Sequence, residues 1–373
     1  MSYKSIKILI MKFRNIGDVL LIAPLIENLK IHYPNAQIDV AINEETKEMI
    51  TLNPYINNIF LYNRTILKSQ NLLNKVLTEI KFAMNIRKQQ YDLVINTTKG
   101  DRGTILALLS AAKIKIGYKS KKILLQNTFT KNLPNSFHYH MVDANLDVLR
   151  ILNIPIVNKK VKIFFSQDDQ EKINLLLQKN NLQEKSFIHI HAVSRWMFKC
   201  INDQTMASII DYCETSLKKK VVLTAAPIEQ EMARIKNILN LCKTKPISLA
   251  GKLSLKQTSA LNQKAFCFIG VDTAIMHLSA ANNIPTFAFF GPSSAHHWGP
   301  WDNNLMESQY THLHTGIQHM GMHTIFQENW QCIPCNKDGC NGSKKSDCLS
   351  NNNFNQIIPL LRNFLTRNFP NKE

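Results

Sequence analysis

Three short stretches of this chain carry side chains suited to chemistry on a hydroxyl and an anion. The first, Lys12-Phe13-Arg14-Asn15-Ile16-Gly17-Asp18, follows an apolar strand-like run and enters a helix-like one. Gly17 permits a tight turn, and Asp18 can cap the incoming helix. At the carboxyl edge of a sheet, the same carboxylate can instead take a proton from an acceptor hydroxyl. The second stretch runs from His189 to Lys199 and also follows a strand-like run. The Ser194 hydroxyl and the cations of Arg195 and Lys199, placed ahead of a helix, suit a diphosphate, although an ordinary basic loop has the same composition. The third is Ile269-Gly270-Val271-Asp272-Thr273-Ala274-Ile275-Met276-His277-Leu278. Asp272, Thr273 and Ala274 stand at a strand-to-helix junction, where amides and a hydroxyl meet either an anion or only the helix end. His277 lies about a turn and a half further on, where a lone His serves packing as readily as ligand binding.

A fourth group is of another kind. Cys332, Cys335, Cys340 and Cys348 place four thiols within 17 residues, a density that suits a small tetrahedral zinc site. Only the first pair has C-x2-C spacing, so this is not the paired pattern of a zinc ribbon. His296, His297, His312, His314 and His323 lie upstream as alternative ligands.

The elements around these residues alternate between strand and helix. In the first half, strands are expected at 6–11, 37–42, 57–62 and 91–96, and helices at 19–32, 44–51, 67–89, 104–112 and 141–152. Asn153-Ile154-Pro155 marks a linker. A second series follows, with strands at 187–191, 220–225, near 247, 265–270 and 285–290. Its helices are expected at 204–217, 229–240, 255–263, 274–281 and 354–369. Short apolar strands separated by helices pair in parallel through right-handed crossovers. The reading is two doubly wound α/β domains with ligands at the strand carboxyl ends.

The ordered set Gly17-Asp18-Val19-Leu20, Arg195 to Lys199, Asp272-Thr273-Ala274-x-x-His277-Leu278 and Phe290-Gly291-Pro292 resembles glycosyltransferase family 9, the ADP-heptose:lipopolysaccharide heptosyltransferases. The likeness spans about residues 5–300. Ser194-Arg195-Trp196-x-Phe198-Lys199-Cys200 and Gly299-Pro300-Trp301 are most similar to the heptosyltransferase III branch. The resemblance implies a GT-B fold, two Rossmann-like domains facing a central cleft. Residues 1–155 would hold the acceptor and 156–350 the nucleotide sugar, with a C-terminal helix in 351–373 packing back on the first domain. It implies inverting transfer of a heptose from ADP-L-glycero-D-manno-heptose to the inner core of lipopolysaccharide, with no obligatory metal. Carried over by position, Asp18 is the general base and Lys199 neutralises the leaving diphosphate. Ser194, Arg195 and the amides of Asp272, Thr273 and Ala274 hold that group, and His277 helps. Glu229 roughly matches an acidic residue that contacts the nucleoside, and the alignment can slip to Glu231. Heptosyltransferases II and I, with other acceptors, are the alternatives within the family.

Composition narrows the field from the other side. The chain has 373 residues, 45% hydrophobic, with 45 Lys and Arg against 27 Asp and Glu. That length suits two ordinary domains, and the apolar fraction excludes a disordered chain. With only 12 glycines and no G-x-G-x-x-G or G-x-x-x-x-G-K-[ST], dehydrogenase and P-loop readings fall away. The net charge of +18 points to an acidic partner, and residues 81–131 alone carry eleven basic against two acidic groups. A zinc-containing nucleic-acid-binding protein is the alternative from another class, without any RNA-binding signature to support it. The N-terminal apolar run is too short for a signal peptide, and no window approaches a membrane span. The expectation is a cytoplasmic protein in peripheral contact with an anionic inner-membrane surface, binding no nucleic acid.

Overall fold

The structure is a computed structural model that describes residues 5–135, 139–311 and 316–370. The chain forms two compact units. One holds residues 5–135 and 141–164; the other holds 139–140 and 165–370.

The first unit is built on β1 (Lys7–Lys12), α1 (Ile16–Leu20), α2 (Ala23–His32), β2 (Gln37–Asn43), β3 (Asn58–Tyr62), α3 (Arg64–Ser69), α4 (Leu72–Lys88), β4 (Leu93–Asn96), α5 (Asp101–Leu109), β5 (Ile114–Gly117), β6 (Lys131–Asn132) and α6 (Met141–Leu152). Its strands lie in the order β3-β2-β1-β4-β5-β6, and every pairing is parallel. The central strands are covered on both faces, which is why Ile8 to Met11 read as an unbroken apolar run.

The second unit repeats this winding with α7 (Gln167–Lys179), β7 (Phe187–His191), α8 (Asp203–Thr215), β8 (Lys220–Leu223), α9 (Glu229–Leu241), β9 (Ile247–Ser248), α10 (Leu255–Gln263), β10 (Cys267–Val271), α11 (Ala274–Ala281), β11 (Thr286–Phe290), α12 (Ala295–Trp298), β12 (Gln318–Met320), β13 (His323–Gln327), α13 (Asp347–Ser350) and α14 (Phe354–Asn368). The order β9-β8-β7-β10-β11-β13 matches that of the first sheet, and β12 joins as an antiparallel edge.

The departures from the sequence reading have local causes. The helix expected over 19–32 is two helices, α1 and α2, with Pro24 in the first turn of the second. The helix expected over 67–89 breaks between α3 and α4, where the Asn71 side chain accepts the Asn74 N–H at 2.9 Å and caps the second piece. The boundary expected at 155 lies inside the first unit, because the next residues lace onto it. Asn28 Nδ2 donates to Asn158 O at 2.7 Å and its Oδ1 accepts from Val157 N–H at 2.7 Å. Lys159 pairs with Asp143, and Lys162 with Glu27, each at 2.6 Å. The C-terminal helix α14 buries Ile357, Leu361 and Phe364 in the core of the second unit, and the Phe364 ring meets Phe287 at 5.6 Å.

At the end of β1, Lys12 is fully enclosed. Its Nζ donates to Thr97 O at 3.2 Å and to Asn145 Oδ1 at 3.1 Å. Burial pushes the ammonium down to about 8, against the opposing pull of Asp18. The unfolded chain therefore binds this proton more tightly, so the fold gains stability as pH rises from about 8 toward 10.5. Urea unfolding at neutral and at strongly alkaline pH should show the wild type gaining roughly 3 kcal/mol relative to Lys12→Met. A difference that does not change with pH would mean the ammonium is not desolvated.

Candidate active site

In each unit the winding reverses beside the first strand, between β1 and β4 and between β7 and β10. Loops that leave the carboxyl ends of strands at such a point converge without crossing the sheet, and ligands bind there. The segment after β1 carries Asp18 in the first turn of α1, the loop after β7 carries Ser194 to Lys199, and Asp272 directly follows β10.

Asp18 is buried, but it is not the helix cap expected from sequence. Asn15 occupies the cap, and Asp18 sits in the first turn of α1, its Oδ2 accepting the Asn15 N–H at 3.3 Å. One carboxylate oxygen thus fixes the corner, and the other has capacity to accept a proton.

In the second unit, the loops after β7 and β10 are joined by Lys199 Nζ donating to Asp272 Oδ2 at 2.6 Å. Burial acts to raise the Asp272 carboxyl. Lys199's charge and hydrogen bond, aided by a hydrogen bond from Ser293 and by nearby His277, outweigh it and hold the carboxyl below its usual range. Thr273 caps α11 by position, yet its hydroxyl is buried with no hydrogen-bond partner among the described residues. Buried hydroxyls without partners are uncommon, and this one stands at the helix N-terminus next in sequence to the Asp272 that Lys199 holds, an arrangement suited to an anion. The Asp272 amide is not part of that cradle, contrary to the sequence expectation. It donates to Phe289 O at 3.1 Å within the sheet, leaving the amides of Thr273 and Ala274. Ser194 is buried, and its Oγ accepts the Trp196 N–H at 3.1 Å, keeping the hydroxyl proton available. Arg195 is exposed and stacks over the Trp196 ring at 4.9 Å. His277 is buried on α11, near enough to Asp272 to act on its charge.

Glu229 and Glu231 separate clearly. Glu229 is exposed on the first turn of α9, whereas Glu231 is buried, its Oε2 accepting the Ala226 N–H at 2.9 Å. Burial raises the Glu231 carboxyl despite that hydrogen bond and the charge of Arg195.

Beneath the loop lies a buried polar chain that the sequence did not signal. Asn262 Nδ2 donates to His189 Nδ1 at 3.0 Å, and the opposite ring nitrogen bonds Thr224 Oγ1, which also meets His191 Nδ1 at 2.9 Å. Burial pushes His189 down to about 3 and His191 to about 4, so both rings are neutral struts.

The family model for glycosyltransferase family 9 (heptosyltransferase) matches residues 80–320, a span that includes Lys199 and Asp272. Lipopolysaccharide heptosyltransferase 3 of Escherichia coli K12 is 31% identical over 297 residues, covering 78% of this chain and 84% of the relative. The chain belongs to glycosyltransferase family 9. Among solved structures, a family 9 glycosyl transferase from Veillonella parvula superposes with a TM-score of 0.78 at 21% identity, over 98% of this chain and 99% of that one. The E. coli heptosyltransferase WaaC with ADP superposes with a TM-score of 0.70 at 14% identity, over 96% and 100%. The fold is therefore GT-B, and the protein is a glycosyltransferase.

The Cys-rich segment of this glycosyltransferase joins the site. Asn336 N–H donates to Pro292 O at 2.8 Å, and Asn336, Lys337 and Asp338 line a cavity of about 210 Å³ together with Trp196, Lys199 and Ser293. A Cβ on Gly291 would collide with the Leu349 side chain, so the Phe-Gly-Pro turn has glycine because the segment packs against it. Ser293 and residues 336–338 were missed because nothing in their local spacing points to β10. Among the described residues, no group of three or more His, Cys, Asp or Glu side chains could hold a metal ion. Cys332 is exposed, whereas Cys348 is buried, its thiol pushed up to about 12 by desolvation and then by the other three cysteines. His296 and His297 bond the carbonyls of Tyr310 and Tyr139 at 2.8 and 2.6 Å, and His312 and His314 lie outside the described residues.

Thr273→Val separates ligand binding from folding at this cradle. Replacing an unpartnered buried hydroxyl by a methyl should stabilise the ligand-free protein by about 1 kcal/mol. The same change should weaken binding of inorganic pyrophosphate, read by calorimetry. Destabilisation with unchanged binding would place the hydroxyl in the fold alone.

Proposed function

We propose that this enzyme transfers a heptose from ADP-L-glycero-D-manno-heptose to the inner core of lipopolysaccharide, with inversion, in the manner of heptosyltransferase III. The observation that carries the reading is the 31% identity with lipopolysaccharide heptosyltransferase 3 across 84% of that relative. The anion cradle at Thr273 and the Lys199–Asp272 pair support it, because a nucleotide-sugar donor leaves as a diphosphate.

In the proposed reaction Asp18 takes the proton from the acceptor hydroxyl as its oxygen attacks the anomeric carbon. The bond from that carbon to the β-phosphate oxygen breaks, and ADP departs with the electron pair. Lys199 has three N–H donors, one of which is held by Asp272, so two remain for the departing oxygens. Ser194, Thr273 and the amides of Thr273 and Ala274 add hydrogen bonds, with Arg195 and His277 at the margin of the diphosphate. Fixed donors in a desolvated site stabilise developing charge without reorganising, and this is the role a metal fills in other transferases. We assign the nucleoside contact to exposed Glu229, since Glu231 is committed to the Ala226 amide. The acceptor is a lipid, which places the enzyme in peripheral contact with the anionic cytoplasmic face of the inner membrane.

Transfer of heptose from ADP-heptose to a panel of truncated lipopolysaccharide cores tests the reading. Product is expected only with cores that already carry the inner heptoses, and transfer confined to heptose-free cores would reassign the branch. Asp18→Asn keeps an oxygen for the Asn15 N–H, so it should lower kcat roughly 10²- to 10⁴-fold with little change in folding stability. Retained turnover would remove Asp18 as the base.

A further inference from the structure

The first unit carries an apolar face that none of the chemistry above uses. On α4, Leu73, Leu77, Ile80 and Met84 follow i, i+4, i+7, i+11 spacing and so share one side of the helix. That side faces solvent: Leu73 is 68% exposed and the other three between 46% and 50%. The opposite side, through Ala83 and Ile86, is the one buried in the core. The pattern continues on α5, whose Leu108 and Leu109 are also exposed and whose Leu109 O accepts from Arg87 Nη1 of α4 at 3.3 Å. Beyond α5 the turn at 123–125 leaves Leu124 96% exposed, and Lys122 ties that turn to Asp101 of α5 at 2.8 Å.

The charge around the stripe has one sign. Residues 64–122 hold thirteen Lys and Arg against three Asp and Glu, a net charge of +10. On α4, Lys81, Arg87 and Lys88 are exposed and flank the stripe. An exposed apolar stripe bordered by cations, on a helix too short to span a bilayer, is the pattern of an interfacial helix on an anionic surface. A symmetric contact with a second copy would set two such positive faces against each other.

We infer that the α4–α5 face docks on an anionic lipid bilayer, with the leucine stripe entering the headgroup boundary and the lysines over the phosphates. This rests on the proposed lipid-linked acceptor for its purpose, but binding can be measured without any transfer. The test is co-sedimentation of the full chain with vesicles of phosphatidylcholine alone and of equal parts phosphatidylcholine and phosphatidylglycerol. Binding is expected only to the anionic vesicles, weakening as salt is raised. The double variant Leu73→Glu, Leu77→Glu should lower bound fraction at least tenfold, and Lys81→Glu, Lys88→Glu should do so less steeply. Turnover on a de-O-acylated, water-soluble core should be unchanged in both variants, which separates this proposal from the assignment of the reaction. Equal binding by wild type and variants would overturn it. So would a lipid-free dimer that the leucine variants disperse, since the face would then be a protein interface.

Discussion

The Lys199–Asp272 ion pair is the constraint on which the second unit's site depends. It joins two loops from neighbouring strands at the point where the winding reverses, with Asp272 buried and Lys199 half-buried. Desolvating one partner alone costs several kcal/mol, so neither residue can occupy its position without the other. The geometry of the surroundings follows. Ser293 completes the Asp272 carboxylate, which fixes the Phe-Gly-Pro turn, and the turn supplies the carbonyl that anchors Asn336 of the Cys-rich segment. Neutral His189 and His191 hold the floor beneath.

The proposed diphosphate site would need no glycine-rich loop, which suits a chain with 12 glycines. A glycine-rich loop presents a row of amides; here the work is divided among a helix N-terminus, two hydroxyls and a lysine. Among the described residues the buried Thr273 hydroxyl has no hydrogen-bond partner, and the proposed anion would supply one. The charge of +18 also resolves into parts. Residues 64–122, which include α4, carry +10 of it.

Much of the fold was legible because buried strands and amphipathic helices repeat with different periods. Met141–Leu152, Phe187–His191, Leu255–Gln263 and Ala274–Ala281 fall at the residues the pattern predicts. What failed was local: Asn15 and Asn71 cap helices in a way that apolar periodicity does not register. Of the site, the ordered motifs brought Lys199 and Asp272 to attention, but not that they touch. The contributions of Ser293 and residues 336–338 arise from tertiary packing.

The most direct test of the central claim is a double-mutant cycle on ADP binding, measured by calorimetry for wild type, Lys199→Met, Asp272→Asn and the double variant. If the two residues act as one unit, each single change removes nearly the whole effect. The double variant then loses no more than the worse single, a coupling of at least about 1 kcal/mol. Losses that simply add would contradict the account, because Lys199 and Asp272 would then serve the donor site independently.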